Sequence, residues 1–266
     1  MGSATTQARA EAVSALEALE PGVERARVGR ELFAALGTLE SNPALRQAVG
    51  DSSSPAQAKT ALVSAVFGPH TSADTLALLS GIARARWSDP GDVVGAVEEL
   101  GIRAYVTSAG AASSVDEEIL AFAAVVGSDP QLELALSSKL GTPEARVGLI
   151  RRLLEGRASE ATVEILTQLV RAPRGRRIVA LLAQAARIVA DAAGFELARV
   201  TVARPLSAEQ SARLEQTLSE RYGRPVRATV VVDPALVGGA RVQIGDDVID
   251  GSVSGRIAEL RRRLAG

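Results

Sequence analysis

Apolar residues recur every three or four positions from about Thr5 to Ala193. That spacing lays one apolar stripe along each of a series of helices. Val13, Leu16 and Leu19 make the first stripe, with Ala12 beside Leu16. Leu32, Phe33, Leu36 and Leu39 make the second, and Leu62, Val63, Val66 and Phe67 the third. Leu76, Leu79, Ile82 and Ala83 follow, then Val93, Val94, Val97 and Leu100. The stripes are separated by Pro21-Gly22, Ser41-Asn42-Pro43, Ser52 to Pro55, Gly68-Pro69 and Asp89-Pro90-Gly91. These are residues that stop and start helices. Short helices joined by short loops read as a bundle.

The bundle pattern occurs twice. Ser41-Asn42-Pro43-Ala44-Leu45 returns as Ser128-Asp129-Pro130-Gln131-Leu132, and Pro43 to Pro130 sets an offset of 87 residues. The same offset pairs Leu32 with Ile119, Val63 with Ile150, Phe67 with Leu154 and Thr75 with Thr162. It also pairs Leu78 with Ile165, Leu79 with Leu166, Ile82 with Leu169 and Arg84 with Arg171. Few residues are identical, so the preserved apolar pattern and the aligned loop signals carry the case for duplication. Two unrelated bundles of similar period are the alternative.

After Ala193-Gly194 the period changes from helical to alternating. Leu197 to Leu206 reads as a strand, and Ser207 to Tyr222 as a helix with Ser207 and Gln210 in capping-box positions. Val226 to Val232 and Ala240 to Ile244 read as further strands. Gly245-Asp246-Asp247 suits a tight hairpin turn into Val248-Ile249, and Asp250-Gly251-Ser252 precedes a final helix, Val253 to Leu264. The expected fold is mainly α, a duplicated N-terminal helical bundle followed by a small α+β C-terminal domain. The expected domains are 1–108, 109–194 and 195–266.

Composition narrows the chemistry. Thirty basic against thirty-one acidic residues give a net charge of -1, which argues against a dedicated nucleic-acid binder. The chain has no Cys and one His, His70, so thiolate chemistry and His- or Cys-built metal sites are excluded. Aromatics are only 3%, so the core is built from small aliphatics. No apolar run reaches the roughly 20 residues needed to span a bilayer, and Met1 to Ala10 lacks the order of a secretory signal. Asp246, Asp247 and Asp250 could together hold a divalent ion, but they lack calcium-loop spacing, and a solvated turn is favoured. Gly238-Gly239 precedes a strand rather than a helix, which favours close backbone packing over a phosphate cradle. Trp87 and Tyr105 read as core fillers or interface anchors. The basic stretches Arg171 to Arg177 and Arg261-Arg262-Arg263 lack aromatic neighbours, which favours a solvated face or an acidic protein partner.

The run DPALVGGARVQIGDDVIDGSVSGRIAELRRRL, beginning at Asp233, closely resembles the signature of the ATP synthase delta subunit family, called OSCP in mitochondria. RPLSAEQSARLEQTLSERYGRPV resembles that family's strand-helix-strand. ALRQAVGDSSSPAQAKTALVSAVFG resembles its N-terminal bundle, and QLELALSSKLGTPEARVGLIRRLLEG resembles the same segment again. Ala228 departs from the pattern, where a larger apolar residue is expected. The usual family member is shorter, with one bundle; long forms are known among actinomycete-type synthases. The Tyr-Ala pair usual on the first helix is not visible.

The resemblance implies a stator part with no catalytic residues, no cofactor and no metal. Its helical domain would hold the N-terminal helix of an alpha subunit in an apolar groove. Val13, Leu16, Leu79, Ile82 and Ala83 are the expected groove residues, with Leu166, Leu169 and Val170 of the second copy as rivals. Its C-terminal region would engage the b subunit of the peripheral stalk. Asp233, Gly238, Gly239, Gly245, Asp250, Gly251 and Ser252 are the family motif. The implied location is the cytoplasmic face of the cell membrane, peripheral and without direct insertion. An unrelated helical adaptor that binds amphipathic helices is the alternative; a metal enzyme and an RNA-binding helical repeat are further ones.

Overall fold

The computed structural model describes residues 2–110, 115–137, 141–245 and 247–252. Six helices form the first copy: α1 (Ser3–Glu17), α2 (Arg25–Ser41), α3 (Pro43–Gly50), α4 (Ala56–Phe67), α5 (Ala73–Arg84) and α6 (Asp92–Ala109). Each break has a local cause. Arg25 donates to the carbonyls of Leu16 at 2.8 Å and Leu19 at 3.2 Å, satisfying the end of α1. Asn42 caps α3, with Pro43 in its first turn, and Ser72 caps α5.

The second copy contributes α7 (Val115–Ser128), α8 (Pro130–Ser137), α9 (Pro143–Leu154), α10 (Glu160–Arg171) and α11 (Ile178–Ala192). At the predicted offset the bounds of α4 and α5 coincide with those of α9 and α10 at both ends, and α8 starts where α3 does. Asp129 replaces Asn42, accepting from the Leu132 N–H as Asn42 accepts from Leu45. Ser159 replaces Ser72 as the cap of α10. Among the described residues no separate helix corresponds to α1 in the second copy. Instead α6 packs on both α2 and α10, so one helix is shared by the two copies. It is buried from Ala96 through Val97 and Glu98 and again from Leu100 to Val106.

The α2–α6 crossing is set by paired glycines. Phe33 and Tyr105 stack with centroids 5.5 Å apart. Gly101 lies under the Phe33 ring and Gly29 under the Tyr105 ring, and a Cβ at either would enter the ring. Trp87 is also core, donating from Nε1 to the Ile82 carbonyl at 2.9 Å.

The chain forms two compact units, Met1–Val189 and Ala190–Gly266. Both helical copies lie in the first, apart from the last three residues of α11. The second unit holds β1 (Glu196–Val202), α12 (Ala208–Tyr222), β2 (Val226–Val232), β3 (Ala240–Ile244) and β4 (Asp247–Asp250). The sheet order is β2-β1-β3-β4, with β1 and β2 parallel and the other pairs antiparallel. The parallel pair needs a crossover helix, which α12 supplies with its full Ser207–Gln210 capping box. Val200, Val202, Val226, Val242 and Leu218 pack the core between sheet and helix. The mainly helical, duplicated fold with an α+β C-terminal unit is as the pattern predicts. The expected helix Val253 to Leu264, with Arg261 to Arg263, lies outside the described residues.

Candidate partner-binding site

Both copies carry the same polar clasp. In the first, the Glu31 carboxylate accepts from the Ser72 N–H at 2.9 Å and from the Ser72 hydroxyl at 2.7 Å, and the Thr75 hydroxyl lies 3.1 Å from that of Ser72. In the second, Glu118 accepts from the Ser159 N–H and hydroxyl at 2.9 and 2.7 Å, and the Thr162 hydroxyl lies 3.1 Å from that of Ser159. Each clasp ties the second helix of its copy to the start of the fifth. This conserved geometry is the strongest structural support for a duplication.

Burial acts to raise the Glu31 carboxyl. Hydrogen bonds from Thr75 and from the Ser72 hydroxyl and N–H, with Arg27 nearby, outweigh it and hold the pKa below the ordinary 4.5. Glu31 therefore adds stability above pH 4.5 that is lost as pH falls through its lower folded value. Replacing Glu31 with Ala is expected to cost about 1–3 kcal/mol, because the Ser72 donors lose their acceptor. Urea midpoints should show that cost at neutral pH and show it shrinking in acid.

The expected groove residues divide by burial. Leu16, Leu79, Ile82 and Ala83 are at most 3% exposed and hold the bundle together. Val13 is half-buried on α1. The rivals Leu166, Leu169 and Val170 are likewise sealed in the core. An apolar period finds the buried face of a helix, whatever covers it. What distinguishes the copies lies on the next positions of α5 and α10. Ser80 and Gly81 of α5 are half-exposed, with open space above Gly81. Their counterparts Thr167 and Gln168 of α10 are buried, at 1% and 5% exposure. A concavity of about 520 Å³ continues the α1–α5 surface, lined by Ala4, Gln7, Glu11, Arg84 and Trp87.

Arg174 and Arg176 of the α10–α11 loop find an acid within the chain. Both reach Glu98 of α6, Arg176 through two hydrogen bonds of 2.9 and 2.8 Å. Glu98 is 2% exposed, and Glu40 of α2 lies 3.6 Å from Arg174. Burial pushes the Glu40 carboxyl up, opposed by Arg174 and reinforced by Glu98. Its sign is opposite to that of Glu31: its stabilising share is full below pH 4.5 and is lost as pH rises through the raised value. Glu40→Gln is therefore expected to be more stable than the parent at neutral pH, with the gap closing in acid; thermal scans across pH would read this. Sequence reading missed these acids because their arginine partners lie far along the chain. A carboxylate inside the apolar stripe of α6 was the available signal.

In the second unit the motif residues do architectural work. Asp233 folds a turn, accepting from the Ala235 N–H at 2.9 Å. Gly238 and Gly239 have φ of 70° and 78°, where side chains are strained. A Cβ on Gly239 would strike the backbone of Gly251 and Ser252. Gly251 donates to the Ala240 carbonyl at 2.9 Å. Gly245 turns the β3–β4 hairpin with φ 56°. Asp250 is held below the ordinary carboxylate range, first by Ser252 and then by Arg241 at 3.1 Å. Ser252 is fully buried. Asp247 accepts from the Tyr222 hydroxyl at 3.3 Å. Asp246 lies outside the described residues. Among the described residues no three acidic or His side chains gather as a metal site. His70 is exposed at the end of a 3₁₀ turn.

The profile of the ATP synthase delta (OSCP) subunit matches residues 103–264. That span starts inside α6 and covers the second copy and the α+β unit. The chain is 47% identical to "ATP synthase subunit delta" of Leifsonia xyli over the whole of both chains. It is 36% identical to that of Thermobifida fusca over 96% of both, and 37% identical to that of Streptomyces griseus over the whole of both. The duplicated length is thus shared by these relatives. A chain of the Toxoplasma gondii mitochondrial ATP synthase hexamer is similar at 20% identity and a TM-score of 0.46, over 64% of this chain and 97% of that one. Kinship along the full length, together with the motif-built hairpin, makes this chain a member of the ATP synthase delta (OSCP) subunit family.

Proposed function

We propose that this protein is a non-catalytic stator component of F-type ATP synthase. It joins the alpha-subunit N-terminal helix on the catalytic head to the b subunit of the peripheral stalk and resists rotor torque during proton-driven ATP synthesis. End-to-end identity of 47% with a delta subunit carries this reading. The protein acts as a peripheral part at the cytoplasmic face of the membrane. No single helix among the described residues is long and apolar enough to cross a membrane.

The alpha-subunit helix docks on the α1–α5 face of the first copy. Val13 and the open positions at Ala77 and Gly81 receive it, over a floor of Leu16, Leu79, Ile82 and Ala83. Support comes from the difference between open Gly81 and buried Gln168. The second copy is the competing site, favoured by the profile span 103–264. For the stalk, the α+β unit offers Val248 on the edge strand β4 and Val237 in the turn before β3, 57% and 67% exposed. Edge strands and exposed apolar side chains suit a partner segment.

Titration of the full chain with an alpha-subunit N-terminal peptide tests this. Gly81→Leu is expected to keep the fold, since nothing lies within 4 Å of the new Cβ, and to fill the face. Binding is expected to weaken at least about ten-fold, as when an anchor pocket is blocked. Unchanged binding in Gly81→Leu, with loss in Val163→Asp on α10, would move the site to the second copy.

A further inference from the structure

We propose that the concavity at the start of α6, walled by Arg9, Arg46, Arg174 and Arg176, binds a phosphate-bearing small anion. This is independent of the stator reading. The cavity measures about 520 Å³, within the range of small-molecule sites. The four arginines come from α1, α3 and the α10–α11 loop, and only Glu40 and Asp92 oppose them on its walls. Gly91 and Gly95 bring the first turn of an 18-residue helix to the surface there. That is the positive end of the α6 dipole.

The arginines are set up in unusual ways. Gly95 lacks the Cβ that would lie 2.5 Å from Arg9 Nη2, so the Arg9 guanidinium lies against α6. Its Nη1 meets Glu99 at 3.4 Å, while its Nε is buried without a hydrogen-bond partner. Arg174 holds φ 50°, a left-handed backbone uncommon for a residue with a side chain. The Arg46 guanidinium feels Glu40 electrostatically but makes no hydrogen bond or ion pair among the described residues. Glu98 satisfies Arg174 and Arg176 from beneath and Glu99 pairs with Arg9, so the Arg46 guanidinium and the Arg9 Nε are the donors left without a partner. Guanidinium forks fit phosphate oxygens in pairs, and a multiply charged anion answers several at once. The walls hold no aromatic ring on which a base could stack, so the phosphate is the part recognised.

Calorimetry on the full chain at low salt tests the proposal with inorganic phosphate, pyrophosphate and ADP in separate titrations. One pyrophosphate is expected to bind per chain. Arg46→Ala, which breaks no ion pair, should weaken it about ten-fold, the loss of one charge-assisted contact. Glu40→Gln, which removes an opposing charge, should strengthen it. Equal binding of ADP and pyrophosphate would identify free phosphate chemistry, and preference for ADP a nucleotide source; both support the site. Absence of heat with all three at millimolar concentration, or unchanged binding in a folded Arg46→Ala variant, would overturn it.

Discussion

Gly101→Val is expected to destabilise the first unit by about 3 kcal/mol, the upper range for overpacking a filled core. A Cβ at Gly101 would lie 2.5 Å from Phe33 Cδ1. Phe33 cannot simply swing away, because its other neighbour is the stacked Tyr105 ring. Tyr105 in turn rests on Gly29, where a Cβ would lie 2.7 Å from its Cδ2. The strain must pass through two rings into the backbone of α2. The gain in helix propensity from removing a mid-helix Gly recovers only a fraction of a kcal/mol. Urea unfolding would read the loss as a lower midpoint. Gly101→Val combined with Phe33→Ala should cost less than the sum of the two single changes, because the truncated ring makes room. Additive costs would show that the close approach is not the cause.

Those glycines also mark a limit of sequence reading. The stripes of Phe33 and Leu100 were visible, so α2 and α6 were expected as buried helices. Why Gly29 and Gly101 sit among them was not, because the reason is a ring on another helix. The helix bounds were legible because stop signals such as Asn42-Pro43 and Asp129-Pro130 act on the local backbone. The duplication was legible for the same reason, since loop chemistry kept its register after the apolar residues had drifted. The Glu31–Ser72 and Glu118–Ser159 clasps could have been found from polar identities at the shared offset, of which Thr75 and Thr162 were noticed. The C-terminal unit was legible almost strand by strand, because alternation and glycine turns are short-range signals. Leu16 and Ile82, expected in the groove, lie on a stripe that the bundle itself buries. Small, half-exposed positions beside that stripe, such as Gly81, carry no apolar signal.

Removal of Glu98 bears on why two copies behave as one unit. Glu98→Ala is expected to cost about 3 kcal/mol, at the lower end for breaking a buried ion pair. The lower end applies because Arg174 and Arg176 keep side chains 24% exposed and can reach water once released. Three charge-assisted contacts end on this one carboxylate, and it belongs to the helix that both copies share. The loop that carries the arginines belongs to the second copy, so its loss should loosen the start of α11 from α6 while leaving the apolar core of the first copy in place. Hydrogen exchange would separate the two effects: amides of Ile178 to Leu182 should exchange faster, and those of Leu32 to Leu39 should keep their protection relative to global unfolding. Glu98→Gln keeps the shape and some hydrogen bonding but loses the charge, and should fall between the parent and the Ala variant. If Gln matched the parent, shape rather than charge would hold the loop. If every amide in the first unit lost protection equally, the carboxylate would be holding the whole bundle rather than the seam between its halves.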